Sequence, residues 1–133
     1  MSHRYVEHVG EVELALEAPS QAGVFSEATA AFRELVDGTA RTRPEPLTRE
    51  VSLGPAGPAR LLADWLDELV FLAEVDAFVP ERVVAIELDG RRLRATLEGV
   101  RGMPRHLVKA ATLHGLELSR DGEVWRARVV LDV

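Results

Sequence analysis

From residue 4 to residue 16 the chain alternates, with Val6, His8, Gly10, Val12, Leu14 and Leu16 set against Tyr5, Glu7, Val9, Glu11, Glu13 and Ala15. A period of two predicts one strand with an apolar face and an acidic face. After Pro19 the period lengthens: Val24, Phe25, Ala28, Ala31, Phe32, Leu35 and Val36 recur at helical spacing, with Ser20 placed to cap the helix and Asp37 and Gly38 to end it. Residues 39–48, which carry proline and threonine, read as a loop. A short edge strand follows near Glu50 to Leu53, then a turn through Gly54, Pro55, Gly57 and Pro58.

A second helix is predicted from about Ala59 to Glu74. It carries Leu61, Leu62, Trp65, Leu66, Leu69, Phe71 and Leu72, enough apolar residues to be buried on more than one side. Beyond it the period of two returns in Glu81 to Leu88, Arg91 to Glu98, His106 to Leu118 and Glu123 to the end. Asp89 with Gly90, and Asp121 with Gly122, stand between paired runs as hairpin signals. The order β-α-β-α-β-β-β-β predicts an α+β fold in which a mixed sheet carries two helices packed on one face. The length of 133 residues suits a single domain, 1–133.

The last run puts Trp125, Ala127, Val129, Leu131 and Val133 on one face, which ties the final residue into the core and sets Asp132 beside the main-chain carboxylate. Such a pair, joined by a third acid, would form an all-oxygen site for a hard cation; the plainer reading is a strand that happens to end in a solvated Asp. The net charge of −6, from 16 basic and 22 acidic residues, opposes binding to phosphates and argues against strong direct contact with nucleic acid. Lys109 is the one lysine beside fifteen arginines. With no cysteine, a disulfide framework, a thiolate metal site and a cysteine nucleophile are all excluded. No stretch approaches the ~20 apolar residues of a membrane span and no targeting pattern opens the chain, so a cytoplasmic location is expected.

Little in the sequence supports catalysis. No HxxxH or HExxH spacing joins the histidines, the glycines at 54 and 57 lack the Lys and Ser or Thr of a phosphate loop, and no serine sits in a nucleophile elbow. What remains is His8 and Glu11 on the first strand, Lys109 and His114 on the fifth run of strand, and Asp132 with Val133 on the last. His8 and Glu11 fall on opposite faces of a regular strand unless Gly10 bends it. His114 falls on the apolar face with Val108, Ala110, Thr112, Leu116 and Leu118, the position of a core histidine or of a ligand.

Taken in order, these segments resemble the archease family. Glu7 to Leu14 is similar to that family's DHTADIGI signature, and LLADWLDELVFLAE to its LLxxWLNELLYL segment through Leu61, Leu62, Trp65, Leu66, Glu68 and Leu69. KAATLHGLEL, from Lys109, resembles KAVTYHGLEV, and VVLDV resembles the VIFDI terminus through Asp132. Glu11 stands where the family usually has Asp and Val9 where it has Thr, and the segment between Glu98 and Lys109 is shorter than usual. The resemblance implies an accessory protein and no enzyme. Its role would be to activate the GTP-dependent RNA ligase that seals tRNA halves and repairs broken RNA, promoting guanylylation and repeated turnover. A chaperone-like role toward a tRNA methyltransferase is also implied. The expected site is a divalent cation (calcium, manganese or magnesium) held by Glu11, Asp132 and the Val133 carboxylate, with His8, Lys109 and His114 as supporting or interface residues. The competing reading is a metal-independent interaction module whose acids meet a basic partner, and a third is a small hydrolase or isomerase using His114 and a carboxylate. The cation reading requires the first and last strands to be neighbours, with Glu11 near Asp132.

Overall fold

The computed structural model describes residues 1–36, 39–40 and 46–133, with only the backbone for His8, Thr39 and Ala40. Two antiparallel sheets enclose two helices. In the first sheet β1 (Ser2–His8), β2 (Glu11–Ala18), β8 (Val124–Asp132) and β7 (Ala110–Asp121) stand side by side in that order. In the second, β6 (Arg92–Met103) lies between β5 (Phe78–Asp89) and β4 (Pro46–Leu53), and the two-residue β3 (Thr39–Ala40) pairs with the far end of β6. Helix α1 (Gln21–Val36) packs on β2 and β5, and α2 (Pro58–Val75) on β7 and on all three long strands of the second sheet.

The α+β class and the order of helices and long strands are as the sequence predicts. The single mixed sheet is not: among the described residues there are two sheets, every pairing is antiparallel, and each helix touches both sheets instead of covering one face. This is why α2 buries Leu61, Leu62, Ala63, Trp65, Leu66, Leu69, Val70, Leu72 and Ala73, more than one stripe of its surface. Ser20 caps α1 as expected, its Oγ accepting the N–H of Gly23 at 3.0 Å. The helix stop at Asp37 and Gly38, and residues 41–45 of the expected loop, lie outside the described residues. At 39–40 and at 46–48 the structure replaces the expected loop with strand.

Three local departures bear on the site. The run read as one strand over 4–16 is a hairpin, in which His8 and Glu11 pair across a two-residue turn at Val9 and Gly10; Gly10 takes φ 76°, open to glycine without steric cost. The later hairpins turn on Gly90–Arg91 and Gly122–Glu123, one residue beyond the Asp-Gly pairs, with glycine first of the two central residues at φ 60° and 67°. On β7, finally, the register jumps between Thr112 and Glu117 while β8 advances only from Val130 to Arg128, so three extra residues bulge out around Gly115 at φ 67°.

Where β5 crosses β6, Gly99 leaves no room for a side chain. A Cβ there would stand 2.2 Å from the Val79 carbonyl oxygen and 2.8 Å from Cζ of Phe78, which is fully buried. Gly99→Ala is therefore expected to cost about 1–3 kcal/mol through forced movement of backbone. A urea midpoint unchanged from the wild type would refute the close approach.

Candidate functional site

On the outward face of the first sheet, charge runs in a regular pattern until its end. Glu13 of β2 accepts two hydrogen bonds from Arg128 of β8, from Nε at 3.2 Å and Nη2 at 3.1 Å. Glu17 meets its direct partner Arg126 at 3.9 Å. The next acid on that face of β2, Glu11, is paired with Asp132 instead of a cation. Cross-strand partners share a face, with Cβ atoms about 4.5–5.5 Å apart, and like charges placed there destabilise the pair. Both residues are half-buried, and among the described residues neither forms an ion pair or a side-chain hydrogen bond.

The backbone around this pair is fixed from three sides. Val133, the last residue of the sequence, donates its N–H to the Gly10 carbonyl at 3.0 Å, which ties it to the β1–β2 turn. Lys109 donates its backbone N–H to the Asp132 carbonyl at 2.8 Å, and Ala110 is the residue of β7 opposite Asp132. One residue further, Ala111 donates its N–H outward to Oδ1 of Asp67 on α2 at 2.8 Å. A carboxylate of α2 thus caps an amide of β7, an edge strand whose outer groups would otherwise lack a protein partner.

Of the residues singled out from the sequence, Glu11, Asp132 and Val133 come together, and Lys109 joins them through its backbone while its side chain is exposed. His8 and Glu11 are direct cross-strand partners, so the expected placement on opposite faces is overturned: the turn at Gly10 folds one strand back on the other. The His8 side chain lies outside the described residues. His114 is corrected as well. It sits exposed in the β7 bulge beside Leu113, which is 56% exposed, and not on an apolar face, because the bulge breaks the alternation that would have turned it inward. Asp67 escaped the sequence reading, since an acid on the outer side of a helix carries no mark of a strand amide waiting beside it. Among the described residues no three His, Asp or Glu side chains gather into a set that could hold a metal ion. The set expected from the sequence has two such side chains and takes the main-chain carboxylate as its third group.

A second polar cluster was also missed. His3 and Tyr5 project from β1 onto α1, where the His3 ring nitrogens meet Glu27 Oε1 at 2.6 Å and Glu34 Oε2, and the Tyr5 hydroxyl donates to Glu34 at 2.6 Å and to the Ala31 carbonyl at 3.1 Å. The signal was present as two acids seven residues apart on one helix face and two ring side chains two apart on one strand face.

The whole chain has relatives. Residues 3–133 match the model of the Archease protein family (MTH1598/TM1083). An archease from Methanosarcina acetivorans is 31% identical over 140 residues, with 98% of this chain and 95% of that protein covered. One from Pyrobaculum neutrophilum is 29% identical with the same coverage. Among solved structures, protein 1598 of Methanobacterium thermoautotrophicum superposes with a TM-score of 0.70 at 25% identity, covering 98% of both chains. The Thermotoga maritima archease, described as a possible chaperone, superposes with a TM-score of 0.68 at 22% identity, covering 100% of this chain and 98% of that one. With the family model matched almost from end to end and the acid pair falling within the segments that carry the likeness, the chain belongs to the archease family.

Proposed function

We propose that this protein is an accessory factor, and no enzyme itself, that activates the GTP-dependent RNA ligase which seals tRNA halves, promoting ligase guanylylation and repeated turnover. Family membership supports the partner class. The observation that carries the site is the pairing of Glu11 with Asp132 where the rest of the same face matches acids to arginines. A like-charged pair with no ion-pair partner among the described residues costs stability, so the positions fit a role met only when a cation arrives. The donor set suits a hard divalent ion such as calcium, manganese or magnesium: Glu11, Asp132 and the Val133 carboxylate offer oxygen only, and three carboxylates leave room for water or for groups of the partner. A bound ion would supply positive charge shared across the interface with the ligase. Glu11, one methylene longer than the Asp usual in the family, reaches further from its strand toward the same point.

A second reading has its own support. Since no three His, Asp or Glu side chains among the described residues form a set that could hold a metal ion, the same acids could meet lysines or arginines of a partner without metal, and the partner could equally be a tRNA methyltransferase served by a chaperone-like module. The deciding assay mixes this protein with the ligase of the same organism. Multiple-turnover sealing and the guanylylated fraction of ligase are expected to rise, and equal rates with and without it would reject ligase activation. RNA alone is expected to bind weakly at physiological salt, because a net charge of −6 repels phosphate.

A further inference from the structure

The cluster joining β1 to α1 contains a histidine with a carboxylate at each ring nitrogen. Glu27 and Glu34 approach Nδ1 and Nε2 of His3 from the helix, Tyr5 stands edge-on to the same ring at 5.5 Å, and β2 presents only Leu16 across from His3. Behind Glu34, Arg33 adds positive charge and reaches Glu81 of β5 at 3.4 Å. A neutral imidazole has a single N–H, so it satisfies one of two carboxylates and turns a lone pair toward the other. The imidazolium donates to both, and such charge-assisted bonds are the strong ones.

β1 is the outermost strand of its sheet, with β2 as its one sheet neighbour. We propose that β1 is a pH-gated strap: protonated His3 latches it to α1 over the outer edge of β2, and neutral His3 frees it. Release would open the edge of Glu11–Ala18, a row of backbone donors and acceptors ready to pair with another strand.

The direction of the gate follows from the groups facing His3. Burial alone pushes the imidazole down, but the hydrogen bonds and charges of Glu27 and Glu34 outweigh it and hold His3 above its ordinary 6.5. A cationic group so held contributes its stabilisation in full below the unfolded value and loses it as pH rises through the folded one. Glu34 is held low by the Tyr5 hydroxyl and then by His3, so its side of the latch fails only in acid. Tyr5, the one tyrosine of the chain, is pushed up by burial and by Glu34; it stays a phenol while His3 titrates, so the alkaline transition belongs to His3.

Hydrogen exchange on the intact protein tests this, with the His3 ring signal followed by NMR across the same samples. Between about pH 6 and about pH 9, protection of the Ser2–His8 amides, corrected for intrinsic rate, should fall about tenfold or more with the midpoint of the ring titration, while β8 keeps its protection. His3→Gln should show low β1 protection at both pH values. Flat β1 protection through the ring titration, loss of β1 and β8 protection together, or a His3 titration at or below its ordinary value would each overturn the proposal. Because the wild-type titration decides alone, a variant that fails to fold does not rescue it.

Discussion

Trp65→Ala is expected to lower the free energy of unfolding by about 3–5 kcal/mol, the largest loss of any single substitution considered for this chain. Trp65 is fully buried in the middle of α2, meets Phe25 of α1 edge-on at 6.1 Å, and donates its indole N–H to Thr29 Oγ1 at 3.0 Å. Thr29 is buried too and passes its own hydroxyl proton to the Phe25 carbonyl at 2.9 Å. One residue therefore supplies the largest core volume and the polar link between two helices that lie between two sheets. Its removal leaves a cavity that rigid strands on either side cannot close. With typical domains stable by only about 5–15 kcal/mol, the variant sits near the edge of folding. Thr29→Val keeps the volume and removes the acceptor, leaving a buried indole N–H unpaired at a cost of about 1–3 kcal/mol. Denaturant titrations followed by circular dichroism should rank the two in that order. A loss below about 1 kcal/mol for Trp65→Ala would mean the helices are not joined through this residue.

What the sequence made legible divides along physical lines. Both helices were readable because apolar residues at helical spacing have no other way to be buried together, and α2 announced burial on several sides through its excess of leucines. The hairpin between β1 and β2 was hidden because the letters go on alternating through a two-residue turn, yet that turn exchanges the faces: Val6, opposite Glu13, faces outward and Val12 is buried, and only Gly10 marked the reversal. The bulge in β7 was hidden in the same way. There the letters continue to alternate while three residues leave the ladder, and His114, expected inward, ends in solvent. Strand β4 begins at Pro46, ahead of the expected strand near Glu50, because Leu47, Val51 and Leu53 share its inner face with Arg49, whose guanidinium lies over the Phe78 ring and interrupts the apolar rhythm in the sequence. The facing of Glu11 and Asp132 was inferable from one premise, the adjacency of first and last strands, and this holds for β2. The grip of Glu27 and Glu34 on His3 had no such premise, since it depends on how α1 lies over the edge strand.

Asp132→Asn is expected to separate stability from function. Opposite Glu11 it removes one of two facing like charges, so the fold should hold or gain up to about 1 kcal/mol. Affinity for manganese or calcium, measured by calorimetry, should instead fall more than tenfold. At an effective dielectric near 20, a unit charge 4 Å from another is worth about 4 kcal/mol, so even after heavy discount for exposure the loss exceeds the roughly 1.4 kcal/mol of a tenfold change. Extending the chain by a few residues past Val133 displaces the terminal carboxylate while its N–H remains free to hold the Gly10 carbonyl, and Val133 is exposed enough, at 38%, to let the added residues leave. The same fall in affinity is expected with the fold unchanged. If these acids merely met arginines of the ligase at the rim of an interface, each pair would be worth about 0–1 kcal/mol and neither variant would weaken activation much. Loss of cation affinity and of ligase activation in parallel, in both variants and without loss of stability, is the expected result. A folded, extended protein that binds divalent ions and activates the ligase as well as the native chain would remove the terminal carboxylate from the site and leave the metal-independent module as the better account.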